Sequence, residues 1–159
     1  MTADEERARA FAIAAHGDQR YGSDPYVVHL TAVRQVLRDF GYDRDLALAA
    51  WLHDTVEDAE VTVEQLEHEF GPRVAALVWA VTGVGQSRKE RSASAYAKMR
   101  ALPDAVTLKL ADRIANSEAS ARNSPRLLAM YREELAGFTE ALGEYGDAAM
   151  WERLRRALA

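Results

Sequence analysis

The chain has 159 residues, 48% of them apolar, with 20 basic against 25 acidic side chains and no cysteine. That length and apolar content suffice for one packed core, and the net charge of −5 disfavours sequence-independent grip on a nucleic-acid backbone. Without cysteine, disulfides and thiolate metal ligands are excluded; with no run near the roughly 20 apolar residues of a membrane span and no apolar signal core in MTADEERARA, a soluble cytoplasmic protein without a membrane partner is expected.

The periodicity is helical almost throughout, and no segment alternates convincingly as a strand. A first helix starts near Thr2, with Asp4, Glu5 and Glu6 suited to its positive end and Phe11, Ala12 and Ala15 on one face, and fades at His16-Gly17. Gly22, Ser23 and Pro25 mark Asp18 to Pro25 as a loop. A second helix carries Leu30, Val33, Leu37 and Phe40 on one stripe and stops at Gly41. Asp43 is a candidate cap for a third helix, which holds AAWLHDTVEDA at positions 49 to 59. Thr62 is placed to cap a fourth, and Gly71-Pro72 separates it from a fifth with Val74, Leu77, Val78 and Val81 inward. Gly83 to about Arg91 reads as a polar, mobile surface segment. Helical patterns resume at Ala93 to Leu102, Asp104 to about Ala121, Ser124 to Leu142 and Asp147 to Leu158. The fold class expected is all-α, a single multi-helix domain spanning 1–159.

The chemistry lies in the polar exceptions to this apolar pattern. On a continuous helix, positions i and i+4 are neighbours, so His53 would stand beside Glu57 and Asp54 beside Asp58. Trp51 and Leu52 just before them point to partial burial, and unpaired charges in such a place need partners. His29 lies beside the apolar stripe of the second helix. Asp112 interrupts the apolar pattern VTLKLADRIAN, with Asn116 four residues on. Two imidazoles and two carboxylates from three helices form a plausible mixed nitrogen and oxygen site. Such a set suits Mn²⁺ or Fe²⁺, or another hard or borderline divalent ion, better than a soft one, and leaves coordination positions open, unlike a closed structural zinc site. Each residue taken alone has a plainer explanation: a lone imidazole near a core is more often a structural residue, and an isolated buried aspartate is more often an ion-pair or capping group.

The order His29, His53-Asp54, Asp112 resembles the HD superfamily of metal-dependent phosphohydrolases. AHGDQRYGSDPYVVH, HDTVED, FGPRVAALVWAVT and LKLADRIAN are further similar to the Rel/Spo-type alarmone hydrolases, over residues from about 8 to 145. The resemblance implies an HD-domain fold and a stand-alone small alarmone hydrolase of the MESH type. It implies metal ligands at His29, His53, Asp54 and Asp112, usually for Mn²⁺. It also implies a catalytic acidic pair at Glu57 and Asp58 and a substrate contact at Asn116. The reaction implied is removal of the 3′-pyrophosphate from guanosine tetra- or pentaphosphate (ppGpp or pppGpp), giving GDP or GTP. A divalent ion would acidify water and offset phosphoryl charge, and Glu57 is the more direct candidate for the proton. Arg88, Lys89 and Arg91 are candidates for holding the remaining phosphates, with Arg20 assisting, although charged runs usually face water.

One departure stands out. Members of that family commonly carry an Arg-Lys pair in the first loop, gripping the guanine base, and here the places hold Tyr21 and Gly22. Tyr21 offers a ring face for stacking but no cation. A different nucleotide substrate is therefore a second expectation, and a non-catalytic nucleotide-binding module a third. Retention of Glu57 and Asp58 speaks against the last.

Overall fold

The hydroxyl of Thr2 accepts a hydrogen bond from the Glu5 amide at 3.1 Å and starts α1 (Ala3–His16), as an N-cap side chain does. The computed structural model describes residues 1–159. The segment expected as a plain loop contains a short antiparallel pair, β1 (Arg20–Tyr21) and β2 (Asp24–Pro25). Gly22, at φ 60°, takes the left-handed turn that joins them. Two-residue strands are too short for a period-2 pattern to register. Next come α2 (Val27–Asp39) and a stop at Gly41, which has φ 79°.

Asp43 does not cap the third helix. It accepts from the Arg34 guanidinium at 3.3 Å instead, and Arg44 is the N-cap residue of α3 (Asp45–Leu52), with no side-chain cap. The helix expected to run through positions 49 to 59 is interrupted at His53-Asp54, and α4 (Thr55–Asp58) follows. The cause is local. The His53 Nδ1–H donates to the Ala50 carbonyl at 2.7 Å, and the Thr55 hydroxyl donates to the Leu52 carbonyl at 2.7 Å. Side chains that take backbone acceptors compete with the helical ladder.

Thr62 caps α5 (Val63–Phe70), and Pro72 opens α6 (Pro72–Val81). The stretch expected to be mobile up to Arg91 is shorter: Ser87 accepts from the Glu90 amide at 3.1 Å and starts α7 (Arg88–Ala101). Arg88, Lys89 and Arg91 therefore sit on the first turn of a helix. The chain ends with α8 (Asp104–Asn123), α9 (Pro125–Leu142) and α10 (Ala148–Leu158), the last two capped by Ser124 and Asp147.

Helix α8 packs against α2, α6, α9 and α10, so it is enclosed on most sides. Leu108, Leu110, Ala111 and Ile114 are fully buried there and join one contiguous apolar cluster with residues of the other helices. Burial all round removes the usual solvent face of a helix. Polar residues inside α8, notably Asp112 and Arg113, are therefore carried into the interior.

A buried ion pair links the helices that present the His53-Asp54 turn. Glu5 from α1 is 2% exposed. It accepts from Arg34 Nε at 2.6 Å and from Trp51 Nε1 at 3.1 Å. Arg34 also donates to the Tyr42 carbonyl. Trp51 stands two residues before His53, so the network fixes the C-terminal end of α3 against α1 and α2. Burial by itself would raise the Glu5 pKa, but the Arg34 and Trp51 donors bring it below the ordinary glutamate value.

A folded-state pKa below the unfolded one contributes stability above the ordinary range, and that stability is lost as pH falls through the folded value. Glu5→Ala is expected to lower unfolding free energy by about 3–5 kcal/mol, the cost of leaving a buried cation unpaired, as read from the urea midpoint. Glu5→Gln is expected to lose less stability than the wild type does between neutral pH and pH below about 4.3; equal acid sensitivity of the two proteins would refute this assignment.

Candidate active site

Four side chains from α2, the α3–α4 turn and α8 converge. His29 Nε2 lies 3.0 Å from Asp112 Oδ1 and 3.7 Å from Asp54 Oδ2. His53 Nε2 lies 3.1 Å from Asp54 Oδ2 and 3.2 Å from Asp112 Oδ1. All four donor atoms fall within 4.8 Å of one another. His29, His53 and Asp112 are buried, and Asp54 keeps 18% of its side chain exposed, so the cluster is open on one side.

The surroundings orient these groups. His53 gives its Nδ1 proton to the Ala50 carbonyl, which fixes the ring with Nε2 toward the cluster. The Tyr26 hydroxyl donates to Asp54 Oδ2 at 2.6 Å. Lys109 donates to Asp112 Oδ2 at 3.0 Å, and the Asn116 amide donates to Asp112 Oδ1 at 3.1 Å. Burial pushes the carboxyl of Asp112 up, but Lys109 and the two imidazoles bring it well below the usual aspartate range. Burial would lower the His53 pKa, and the facing carboxylates of Asp54 and Asp112 raise it well above the usual value. A group of opposed acids and bases, deprived of water, is the donor set a divalent cation resolves: each carboxylate and each Nε2 offers a lone pair to one point. The residues fit such an ion.

Glu57 and Asp58 face the same cavity, of about 230 Å³. Asp58 accepts from Gln19 Nε2 at 3.3 Å and from the Tyr26 hydroxyl at 3.4 Å. Glu57 accepts from the Gly83 amide at 3.4 Å and lies 4.0 Å from Arg91. Gly83 has no room for a side chain, because a Cβ there would meet Arg91 Cβ at 2.6 Å. The continuous-helix geometry expected for these residues is thus replaced by one in which Tyr26 bridges Asp54 and Asp58, and Glu57 turns toward α7. Burial raises the pKa of both carboxyls, and the charge of Asp54 adds to it. Both hold a proton more readily than an exposed carboxylate does.

The proposed phosphate contacts divide. Arg88 lines the cavity beside Lys109 and Arg113, while Arg91 borders a small adjoining recess with Glu57. Lys89 and Arg20 do not reach the cavity: both are exposed, and Lys89 faces an outer groove between α7 and α9. Asn116 lines it. Tyr21 is used internally. Its ring stacks on His29, with centroids 4.7 Å apart and planes 16° apart, and its hydroxyl donates to Asn116 Oδ1 at 2.7 Å.

Sequence reasoning missed Tyr26, Lys109, Arg113 and Tyr131 as cavity residues. Lys109 and Arg113 carried a readable signal, since they are charges four apart in the same apolar pattern that exposed Asp112. Tyr26 and Tyr131 carried none.

Comparison with known proteins gives the family. The family description "HD domain" matches residues 8–139. The chain belongs to the HD-domain family. This HD domain is 39% identical over 117 residues to the guanosine-3′,5′-bis(diphosphate) 3′-pyrophosphohydrolase of Aquifex aeolicus, covering 70% of this chain and 17% of that one. It is 37% identical over 111 residues to the protein of the same name from Vibrio cholerae, covering 65% and 16%. The chain therefore spans about a sixth of the length of these curated relatives. A solved structure described as a metazoan ortholog of SpoT that hydrolyses ppGpp superposes with a TM-score of 0.83 at 25% identity, covering 99% of this HD domain and 94% of that chain. No helix is long and apolar enough to cross a membrane.

Tyr26→Phe removes the hydroxyl that orients Asp54 without touching a donor atom of the cluster. It is expected to weaken divalent-metal affinity by about 10–100-fold, measured by competition with a chelator. Affinity unchanged in that variant would show that Asp54 is oriented by something else.

Proposed function

We propose that this HD domain is a Mn²⁺-dependent hydrolase that removes the 3′-pyrophosphate of guanosine tetra- or pentaphosphate. The observation that carries the reading is the shared cavity. His29, Asp54 and Asp112 of the four-donor cluster line it; two carboxyls with raised pKa that the cluster does not use share it, and so do Arg88, Lys109 and Arg113. Carboxylates facing a polyphosphate are unfavourable unless they handle a proton or a cation. The names of the Aquifex and Vibrio relatives and the activity stated for the metazoan ortholog support the same substrate. We assign residues 1–159 to one hydrolase unit and place it in the cytoplasm, in keeping with its lack of cysteine.

In this mechanism His29, His53, Asp54 and Asp112 hold the ion. A divalent cation there supplies Lewis acidity toward a phosphoryl oxygen and acidifies water. Glu57, oriented by the Gly83 amide, takes a proton from the attacking water. The water oxygen bonds to the phosphorus next to the ribose, and the bond from that phosphorus to the ribose 3′-oxygen breaks. The 3′-oxygen acquires a proton and leaves as the nucleoside 5′-di- or triphosphate, and pyrophosphate is the second product. Asp58, held by Gln19 and Tyr26, orients the water. Asn116 keeps its amide toward the cluster through its bond from Tyr21.

The alternative, a different nucleotide as substrate, draws on one observation. Tyr21 already spends a ring face on His29 and its hydroxyl on Asn116. With Gly22 beside it, the first loop offers no cation to a base. A panel of guanosine and adenosine polyphosphates, assayed with added Mn²⁺ and with products resolved, separates the two. Pyrophosphate from guanosine tetraphosphate supports the first reading; orthophosphate from another nucleotide supports the second.

Glu57→Gln is expected to keep the metal content of the wild type and to lose activity by at least about 100-fold, within the range of a removed general base. An empty metal site in that variant, by elemental analysis, would contradict the division of roles.

A further inference from the structure

Two arginines reach the cavity wall in very different ways. Arg113 comes from the enclosed helix α8 and is 4% exposed. Its guanidinium lies over the rings of Phe138 and Tyr131, at 4.6 and 5.3 Å from their centroids. Arg88 comes from the first turn of α7, and its side chain is 49% exposed. Left alone, it would be a flexible surface cation with several rotamers open to it.

One carboxylate joins them. Glu134 of α9 accepts from Arg88 Nε at 2.6 Å and from Arg88 Nη2 at 3.0 Å. It also accepts from Arg113 Nη1 at 3.1 Å. Burial opposes the ionised form of Glu134, but its hydrogen bond from Arg88 and the two positive charges bring its pKa below the ordinary value. Glu134 itself does not line the metal cavity. It lines the outer groove between α7 and α9, so it grips both guanidinium groups from behind. Arg88 Nη1 makes no hydrogen bond in the protein, and neither do Arg113 Nε and Nη2. Two cations against one carboxylate leave a net positive charge at the cavity wall, carried by fixed N–H groups. A guanidinium held on one edge offers its other edge to an anion without further loss of rotamer freedom.

We propose that Glu134 is a positioning residue that presets Arg88 and Arg113 as a seat for a second phosphate group of the substrate, the one not undergoing hydrolysis. The proposal rests on the phosphohydrolase reading and narrows it to substrates with two separated anionic groups. It accounts for the placement of Glu134, which otherwise sets a negative charge close to a polyphosphate site. It also separates Arg88, which is pinned, from its exposed neighbour Lys89.

The test uses the 159-residue chain loaded with Mn²⁺ and two readouts. In the first, guanosine 5′-diphosphate, which carries the second phosphate group without the scissile one, is titrated calorimetrically into the wild type, Glu134→Gln, Arg88→Ala and the double variant. The expected result is at least tenfold weaker binding in Glu134→Gln, and a loss in the double variant smaller than the product of the two single losses, because only the Arg113 contact is left to lose once Arg88 is gone. Metal content should be that of the wild type in all four. Arg88→Ala lies on an exposed helix turn and keeps the test interpretable if Glu134→Gln fails to fold. Wild-type affinity in Arg88→Ala, or independent losses that multiply in the double variant, would overturn the proposal.

In the second readout, guanosine tetraphosphate is compared with guanosine 3′-diphosphate, which lacks the 5′ phosphates. Glu134→Gln should raise KM at least tenfold for the former, leave KM for the latter within about twofold, and change kcat little for either. An equal rise for both substrates would count against the seat. If the wild type turns over neither compound while Glu134→Gln still weakens diphosphate binding, the hydrolase reading fails and the seat stands.

Discussion

The carboxylate of Asp112 is the point on which the site depends. It is carried into the interior by a helix enclosed on most sides, where an ionised group needs compensation from every direction. Two imidazoles, the Lys109 ammonium and the Asn116 amide supply it. Those partners come from α2, from the α3–α4 turn and from α8 itself. Satisfying one buried charge thus brings three segments distant in sequence into register, and the metal-ligating geometry is the same arrangement seen from the open side.

The fold prepares each partner for that role. The Glu5–Arg34–Trp51 network fixes the end of α3, just before the turn that bears His53 and Asp54. The turn exists because His53 and Thr55 take helix carbonyls with their own side chains. One bond of His53 therefore does two things: it breaks the helix, and it turns Nε2 toward the cluster. Tyr26 works in a similar double way, since its hydroxyl touches both Asp54 and Asp58. It joins the cluster to the acidic pair.

Electrostatics divide the cavity. The cluster residues that line it, His29, Asp54 and Asp112, collect negative charge suited to a cation. The side holding Arg88, Lys109 and Arg113 collects positive charge suited to phosphate. Lys109 belongs to both, since it pairs with Asp112 and faces the cavity. The first loop contributes differently from the Arg-Lys arrangement that the resemblance implied. Tyr21 serves as a cover for His29 and an anchor for Asn116, and its contribution is structural order beside the His29–Asp112 pair.

Most helix positions, the Thr62 cap and the four convergent side chains were legible in the sequence, because each leaves a local trace. Periodicity reports a buried face, Thr62 before an apolar run reports a helix start, and a charged residue in an apolar pattern reports a buried partner. The break at His53-Asp54 and the role of Asp43 left no such trace, whereas Ser87 followed three residues later by Glu90 is a readable helix-start pattern. The break and the role of Asp43 depend on bonds to the Ala50 carbonyl and from the Arg34 guanidinium that compete with equally plausible local alternatives. Which cations reach the cavity was decided by tertiary structure alone. Arg88 and Lys89 are indistinguishable by composition, yet a carboxylate 46 residues away holds only the first. Sequence by itself determined the kinds of groups available and the faces they occupy, since those follow from nearest neighbours along the chain. Their distances, tautomers and unspent hydrogen bonds came only with the packing, because each is set by a partner from another helix.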